Sequence, residues 1–271
     1  MKILIVPRIP EDQAYTYASI LAQSLTSDGH EIVVADQKVP SNPPFPPLFH
    51  KENPPDMVII IGGDGTILLS IQRMPVQVPV LGINCGEVGF LADIEPEEIK
   101  GFFASVKEKF SFEPRMRISF TVDGQYVGTA LNEALIVTDR PAKMLRFHVT
   151  IDNVLAESFR ADGLIISTPT GSTAYAMSAG GPILDPRIEG FLMVPLAPFM
   201  LSNRPHLIHS KRRLSIQLIN PKPVKLVLDG QISIPINHEA VIDVYKAEEP
   251  ALFVITEKNF FIKCNEKLRH L

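Results

Sequence analysis

Cysteine is almost absent: Cys85 and Cys264 are the only two in 271 residues. Two thiols exclude a disulfide framework and any cysteine-rich zinc module, and they fit a reducing compartment. Long hydrophobic runs are absent too. The longest uncharged apolar stretch, residues 191–201, contains Pro195 and Pro198 and falls far below membrane-spanning length. The opening Met1-Lys2-Ile3-Leu4-Ile5-Val6-Pro7 is too short for a signal-peptide core and has no small-residue cleavage site behind it. A cytoplasmic protein with no membrane partner is expected. Nor is there an excess of positive charge, since 26 Lys+Arg against 30 Asp+Glu give a net −4. Nucleic-acid binding rests on neutralised phosphates, so no nucleic-acid partner is expected. A small phosphate ligand can still be held by backbone N–H groups and a few local arginines.

The remaining composition, 45% hydrophobic and 21% charged, is that of a globular protein, and the length suits one large domain or two modest ones. Residues 2–6 form a fully apolar run of buried-strand type. Residues 11–27 carry Ala14, Tyr17, Ala18, Leu21, Ala22 and Leu25 at helical spacing, and Gly29 ends that helix. Residues 31–35 read as a strand, 57–61 as another, 67–73 as a short helix, 79–83 as a strand and 95–110 as a helix. This alternation predicts a parallel sheet with helices on its faces. Seven of the 24 prolines fall between positions 40 and 55. That density predicts a stiff, extended loop within one domain. It leaves the carboxyl end of strand 31–35 and is expected to be mobile, on the phosphate-donor side.

After residue 110 the rhythm becomes that of short strands: 118–122, 126–130, 134–137, 146–151, 154–159, 164–167, 214–218, 224–228, 232–236, 240–244 and 252–255. Asp123-Gly124 and Asp229-Gly230 are hairpin turn signals. The expected architecture is an α/β N-terminal domain with a Rossmann-like parallel sheet, residues 1–110 rejoined by 256–271, plus a β-rich C-terminal domain, residues 111–255.

Three motifs carry chemistry. Gly62-Gly63-Asp64-Gly65-Thr66 follows a predicted parallel strand, where open α/β sheets bind ligands. Its glycines let backbone N–H groups approach an anion at a helix start. Asp64 is out of place in a purely phosphate-holding loop. A carboxylate there suits a hydroxyl that must be oriented and relieved of its proton, or a divalent metal accompanying phosphates. The plainer alternative is an ordinary strand-to-helix turn. Asn132-Glu133 interrupts an apolar strand run; the pair can bind ribose hydroxyls or an adenine edge, or be the solvent-facing part of the alternation. Thr168-Pro169-Thr170-Gly171-Ser172-Thr173-Ala174-Tyr175-Ala176-Met177-Ser178-Ala179-Gly180-Gly181-Pro182 packs hydroxyls, glycines and one aromatic ring directly after a strand. Arg160 and Asp162 stand just before it. The Gly-x-Ser-x-Gly pattern of serine hydrolases is missing.

In this order, the three motifs resemble those of the NAD kinase family. Gly89-Phe90-Leu91, Leu201-Ser202-Asn203-Arg204-Pro205 and Leu228-Asp229-Gly230-Gln231 add to the resemblance, which spans about residues 57–231. It implies an α/β domain followed by a β-rich domain. The implied reaction moves the γ-phosphate of ATP, or of polyphosphate, to the 2′-hydroxyl of the adenosine ribose of NAD, making NADP. A divalent metal, Mg or Mn, and a homodimer or homotetramer are implied with it. The resemblance gives Asp64 the reacting hydroxyl and Gly62, Gly63, Gly65 and Thr66 the phosphates. Asn132 and Glu133 take the adenosine end. Thr170, Ser172, Thr173, Ala174, Tyr175 and Ser178 line the dinucleotide pocket, with Asp162 at its nicotinamide end; Arg160, at the edge of the site, and Gln231 are expected binding residues beside them. Phe199 departs from the family, which has His there. A lipid kinase would share the first motif but should carry Gly-Thr-x-Asn-Asp soon after. A non-catalytic NAD sensor would not need Asp64.

Overall fold

The chain folds as two units: Met1–Pro114 with Ala251–Leu271, and Arg115–Pro250. The structure, a computed structural model, describes residues 1–8, 12–35, 43–85, 89–105, 110–138, 144–200, 202–219, 223–237, 239–256 and 258–268. The first unit runs β1 (Lys2–Pro7), α1 (Asp12–Ser27), β2 (Glu31–Val34), β3 (Met57–Ile61), α2 (Asp64–Gln72), β4 (Pro79–Ile83), α3 (Ile99–Ser105) and β5 (Phe112–Arg115). The second runs β6 (Ile118–Val122), β7 (Gln125–Ala130), β8 (Glu133–Thr138), β9 (Leu145–Ile151), β10 (Val154–Ala161) and β11 (Gly163–Ser167). A 3₁₀ turn (Thr170–Thr173) and α4 (Tyr175–Ser178) follow. The unit continues with β12 (Gly190–Leu196), β13 (His206–His209), β14 (Leu214–Leu218), β15 (Val224–Leu228), β16 (Ile232–Ile236) and β17 (Val241–Lys246). The chain then returns to the first unit as β18 (Ala251–Val254) and α5 (Phe260–Leu268).

In the first unit the sheet order is β2-β1-β3-β4-β18-β5, with parallel pairing from β2 through β18. β3 is buried along its whole length, as its unbroken apolar run requires. α1 lays Ala14, Ala18, Leu21 and Leu25 onto Ile3, Ile5, Ile59 and Ile61. The second unit holds two antiparallel sheets, β10-β9-β14-β17-β6-β7 and β13-β12-β11-β8-β15-β16. They share one core, to which Phe120, Phe147 and Ile216 come from the first sheet and Ile136, Ile166, Phe191 and Leu226 from the second. The Asp123-Gly124 and Asp229-Gly230 turns both have positive φ at the two central residues, as predicted for such hairpins.

Four local readings change. α2 starts at Asp64 rather than 67, so the motif itself forms the first helical turn. α3 starts at Ile99 rather than 95. The N–H of Glu95 donates to Glu98 Oε2 (2.9 Å), which makes that acidic stretch a turn ahead of the helix. β12 and β13 lie where no strand is expected from the sequence, because Pro195 and Pro198 argue against one. β12 nevertheless sits between β11 and β13, and β13 pairs only with Gly190–Met193. Pro195 therefore lies on a part of β12 with one neighbour, where its missing N–H breaks no ladder. The fourth concerns the proline-rich stretch, whose described part packs at the far end of α2 from the glycines. Residues 40–42 lie outside the described residues. Farther along, Leu48 is buried and its N–H donates to Arg73 O (2.9 Å), while Arg73 Nε donates to Pro46 O (2.9 Å). Arg73 closes α2, so the stretch rests on the end of that helix away from the glycines. No helix among the described residues is long and apolar enough to cross a membrane.

Candidate active site

In the first unit the glycine loop leaves β3, and the N–H of Gly62 donates to Ile83 O on β4 (2.9 Å). Gly62 is required by the fold itself, because a Cβ would lie 2.7 Å from Thr66 Oγ1 and 3.1 Å from Arg8 Cβ. Gly63 and Gly65 are different. Neither has a positive φ, and nothing lies within 4 Å of the place a Cβ would take. The chain itself needs no glycine at either position, and the backbone there is open to close approach. α2 begins here, so its unsatisfied N–H groups and positive end face the same open space.

Asp64 is held from across the unit. Its Oδ2 accepts the N–H of Phe90 (2.7 Å) and its Oδ1 that of Leu91 (2.9 Å). Gly89 makes this approach possible, because a Cβ there would overlap Asp64 Oδ1. A carboxylate offers about four lone-pair sites, so two remain for a hydroxyl proton. Among the described residues no cluster of three His, Cys, Asp or Glu side chains could hold a metal. A single loop carboxylate fits a divalent ion that arrives on substrate phosphates, and not a cage built by the protein.

In the second unit, Glu133 opens β8 opposite Ser167, the last residue of β11, and Ala134 pairs with Leu228, the last residue of β15. The start of one strand thus meets the ends of two others. Asp229, buried in the β15–β16 turn, binds this junction together. Its Oδ2 accepts the N–H of Leu131 (2.8 Å), and its Oδ1 accepts those of Asn132 (2.7 Å) and Glu133 (3.1 Å). The hydroxyl-rich segment is stapled on top. Thr168 Oγ1 donates to Leu131 O (2.5 Å) and accepts the N–H of Gly171 (3.0 Å), while Ser167 Oγ donates to Asn132 O (3.1 Å). Gly171 has no room for a Cβ against the Asn132 carbonyl. Ala176 and Leu184 then cover Ile165, Leu192 and Val194, which explains why β11 is buried on both faces.

Three buried oxygens at this junction have no hydrogen-bond partner among the described residues: Asn132 Oδ1, Glu133 Oε2 and Thr170 Oγ1. Such groups are costly unless something else satisfies them. Burial, and then the neighbouring Asp229 carboxylate, push the Glu133 carboxyl up from 4.5 to about 8. At neutral pH it is mostly an acid with an O–H to donate.

The other expected residues are placed as follows. Thr173 is buried and its Oγ1 donates to Thr170 O (3.4 Å); Ala174 is half-buried; Tyr175 and Ser178 are exposed. Gln231 follows the Asp229-Gly230 turn and is half-buried. Ser172 is fully buried, its Oγ donates to Pro169 O (2.7 Å) and accepts the N–H of Leu184 (3.0 Å), so its hydroxyl holds the turn. Arg160 and Asp162 are exposed and stand beyond Gly163, at the end of β11 away from Ser167, roughly 13 Å along the strand. The Arg160 guanidinium lies 4.0 Å from the centroid of the Phe199 ring. Sequence reasoning missed Asp229, Gly89, Phe90 and Leu91 as the groups that hold the two polar centres, although all four lie in motifs it singled out.

The model of the ATP-NAD kinase N-terminal domain matches residues 48–109, and that of the ATP-NAD kinase C-terminal domain matches residues 131–256. A crystal structure of an NAD kinase from Archaeoglobus fulgidus in complex with ATP superposes with a TM-score of 0.84 at 30% identity, covering 100% of both chains. An NAD kinase from Methanoculleus marisnigri is 55% identical over 100% of both chains. With a further NAD kinase, from Methanospirillum hungatei, 60% identical over 100% of both chains, the chain belongs to the NAD kinase family.

Proposed function

We propose that the protein transfers the γ-phosphate of ATP to the 2′-hydroxyl of the adenosine ribose of NAD, forming NADP. The observation that carries the reading is the set of buried oxygens on Asn132, Glu133 and Thr170, an acceptor-and-donor cradle that no group among the described residues fills. Ribose hydroxyls and an adenine edge supply the missing partners. The distance along β11 from Ser167 to Asp162 suits an extended dinucleotide, with Asp162 and Arg160 toward the nicotinamide end. Thr173, Ala174, Tyr175, Ser178 and Gln231 line its path, and the exposed Tyr175 ring is free to cover a base.

Asp64 orients the ribose hydroxyl and takes its proton. It is fixed by two backbone amides and keeps lone pairs to spare. The open backbone at Gly63 and Gly65, with Thr66 beside it, receives the donor phosphates. A divalent ion, Mg or Mn, bound by those phosphates would neutralise their charge. Phosphoryl transfer passes through a loose transition state, so alignment and charge neutralisation supply most of the acceleration and the base a smaller part. A cytoplasmic location and assembly into a homodimer or homotetramer complete the proposal. Exposed Val154, Leu155, Leu207 and Met200 support the assembly. Incubation with NAD, ATP and magnesium, with NADP read by an NADP-specific dehydrogenase, tests the activity. A lipid kinase or a passive NAD sensor forms no NADP in that assay.

A further inference from the structure

The last helix of the chain is oriented the wrong way round for its hydrophobic residues. In α5, Phe261 is 59% and Ile262 53% exposed, yet Lys263 is only 6% exposed. Burying a lysine in preference to a phenylalanine is costly unless its charge is met. Lys263 meets Asp93, with which its Nζ forms an ion pair, and Asp93 Oδ2 also accepts Thr256 Oγ1 (3.2 Å). The helix is therefore positioned by its charges. Lys267 lies one turn farther on, on the same face.

Lys267 is half-buried, and no hydrogen bond or ion pair holds its ammonium among the described residues. Its Nζ lies 5.1 Å from the centroid of the Phe90 ring. Phe90 is the residue whose N–H holds Asp64, so the ammonium stands one ring away from the glycine loop. Burial lowers its pKa below the usual lysine value and Lys263 lowers it further, while Asp64 and Asp93 act in the opposite sense. A cation half out of water, close to a phosphate-type loop and with no carboxylate paired to it among the described residues, has a place for an anion.

Resting on the kinase reading above, we infer that Lys267 binds the phosphoryl donor: its ammonium meets the terminal phosphate oxygens of a nucleoside triphosphate brought to the Gly62-Gly63-Asp64-Gly65-Thr66 loop. Lys263, neutralised by Asp93, fixes the helix that presents it. The alternative is a helix-end lysine that only complements the helix dipole and packs on Phe90.

The test compares wild type with Lys267→Met, Lys267→Arg and Lys258→Met. Lys258 is an exposed lysine of the same unit, paired with Glu98 at 3.1 Å, and serves as the charge control. MgATP and NAD are titrated separately by calorimetry, and NADP formation is followed in parallel. Lys267→Met should weaken MgATP roughly 10- to 100-fold, the range for one charge-assisted hydrogen bond, while NAD affinity stays within about twofold. Lys267→Arg should retain MgATP binding within about threefold, and Lys258→Met should match wild type. Unchanged MgATP affinity in Lys267→Met overturns the inference. So does an equal loss for NAD, which marks a structural role, or an equal loss in Lys258→Met, which marks a general charge effect. A wild type that binds MgATP through Lys267 and forms no NADP sinks the kinase reading and leaves the donor site standing.

Discussion

Glu133 should make the unliganded protein lose stability as the pH rises from 5 to 8. Its carboxyl ionises at about 8 in the folded protein, against 4.5 for a free glutamate side chain, because it is buried and faces Asp229. The folded chain therefore holds this proton more tightly than the unfolded chain. Its contribution is complete below about 4.5 and is lost as the pH approaches 8. Between those limits the folded state binds nearly one proton more, so stability falls by about 1.4 kcal/mol per pH unit. From pH 5 to pH 7 that amounts to about 2.5 kcal/mol, with roughly 5 kcal/mol as the ceiling over the whole interval. Glu133→Gln keeps the size and a donor but cannot ionise. The assay is urea unfolding at pH 5, 6, 7 and 8 for both proteins without NAD, followed by far-ultraviolet circular dichroism. Histidines and other groups titrate alike in both, so the difference between the two curves isolates Glu133. The variant should gain on wild type by about 2.5 kcal/mol between pH 5 and 7. Parallel curves would refute the reasoning and mean that Glu133 is already ionised and solvated in the folded chain.

Asp64→Asn should fold normally, bind NAD within about tenfold and lose at least roughly a hundredfold in kcat. A loss of only a few-fold with altered metal dependence would assign Asp64 to the metal and send the search for a base to Glu133. Tyr175→Ala should weaken NAD by about 1–3 kcal/mol, as loss of a stacking platform does, with little change in Tm because the ring is 45% exposed. A large drop in Tm with NAD affinity intact would make Tyr175 a packing residue. Gly89→Ala drives a methyl group into Asp64 Oδ1, so the carboxylate must leave the amides of Phe90 and Leu91. Its kcat should fall by about tenfold or more with stability within about 1–3 kcal/mol of wild type, and an unchanged kcat would show that those amides do not position Asp64.

Local pattern was enough for most strands. The unbroken apolar run of β3 and the apolar spacing of α1 have one physical solution each, burial on both faces and burial of one stripe. β12 was hidden because a proline argues against a central strand, and only the short reach of β13 makes Pro195 harmless. The start of α2 was hidden because glycine is a poor helix former and glycines stand at its N-cap and in its first turn. The chain accepts them at the first turn, where the backbone is open to a ligand.

The polar centres divide in the same way. Asp64 and Asn132-Glu133 stood out because each interrupts its surroundings within a few residues. What holds them did not stand out, because it comes from far along the chain. Asp64 is fixed by amides 26 and 27 positions away, and Asp229 fixes the junction before β8 across 96 to 98 positions. Both use one device: a carboxylate accepts successive backbone N–H groups of a remote segment. Backbone amides carry no sequence signature, so neither clamp can be read from residue types alone. The first leaves a trace only in what it excludes, a Cβ at Gly89, and that glycine sits inside a motif. The carboxylates are invariant in position only while their clamps hold. Loss of a clamp should therefore reach the chemistry before it reaches the fold, and the Gly89→Ala comparison of kcat with stability separates the two.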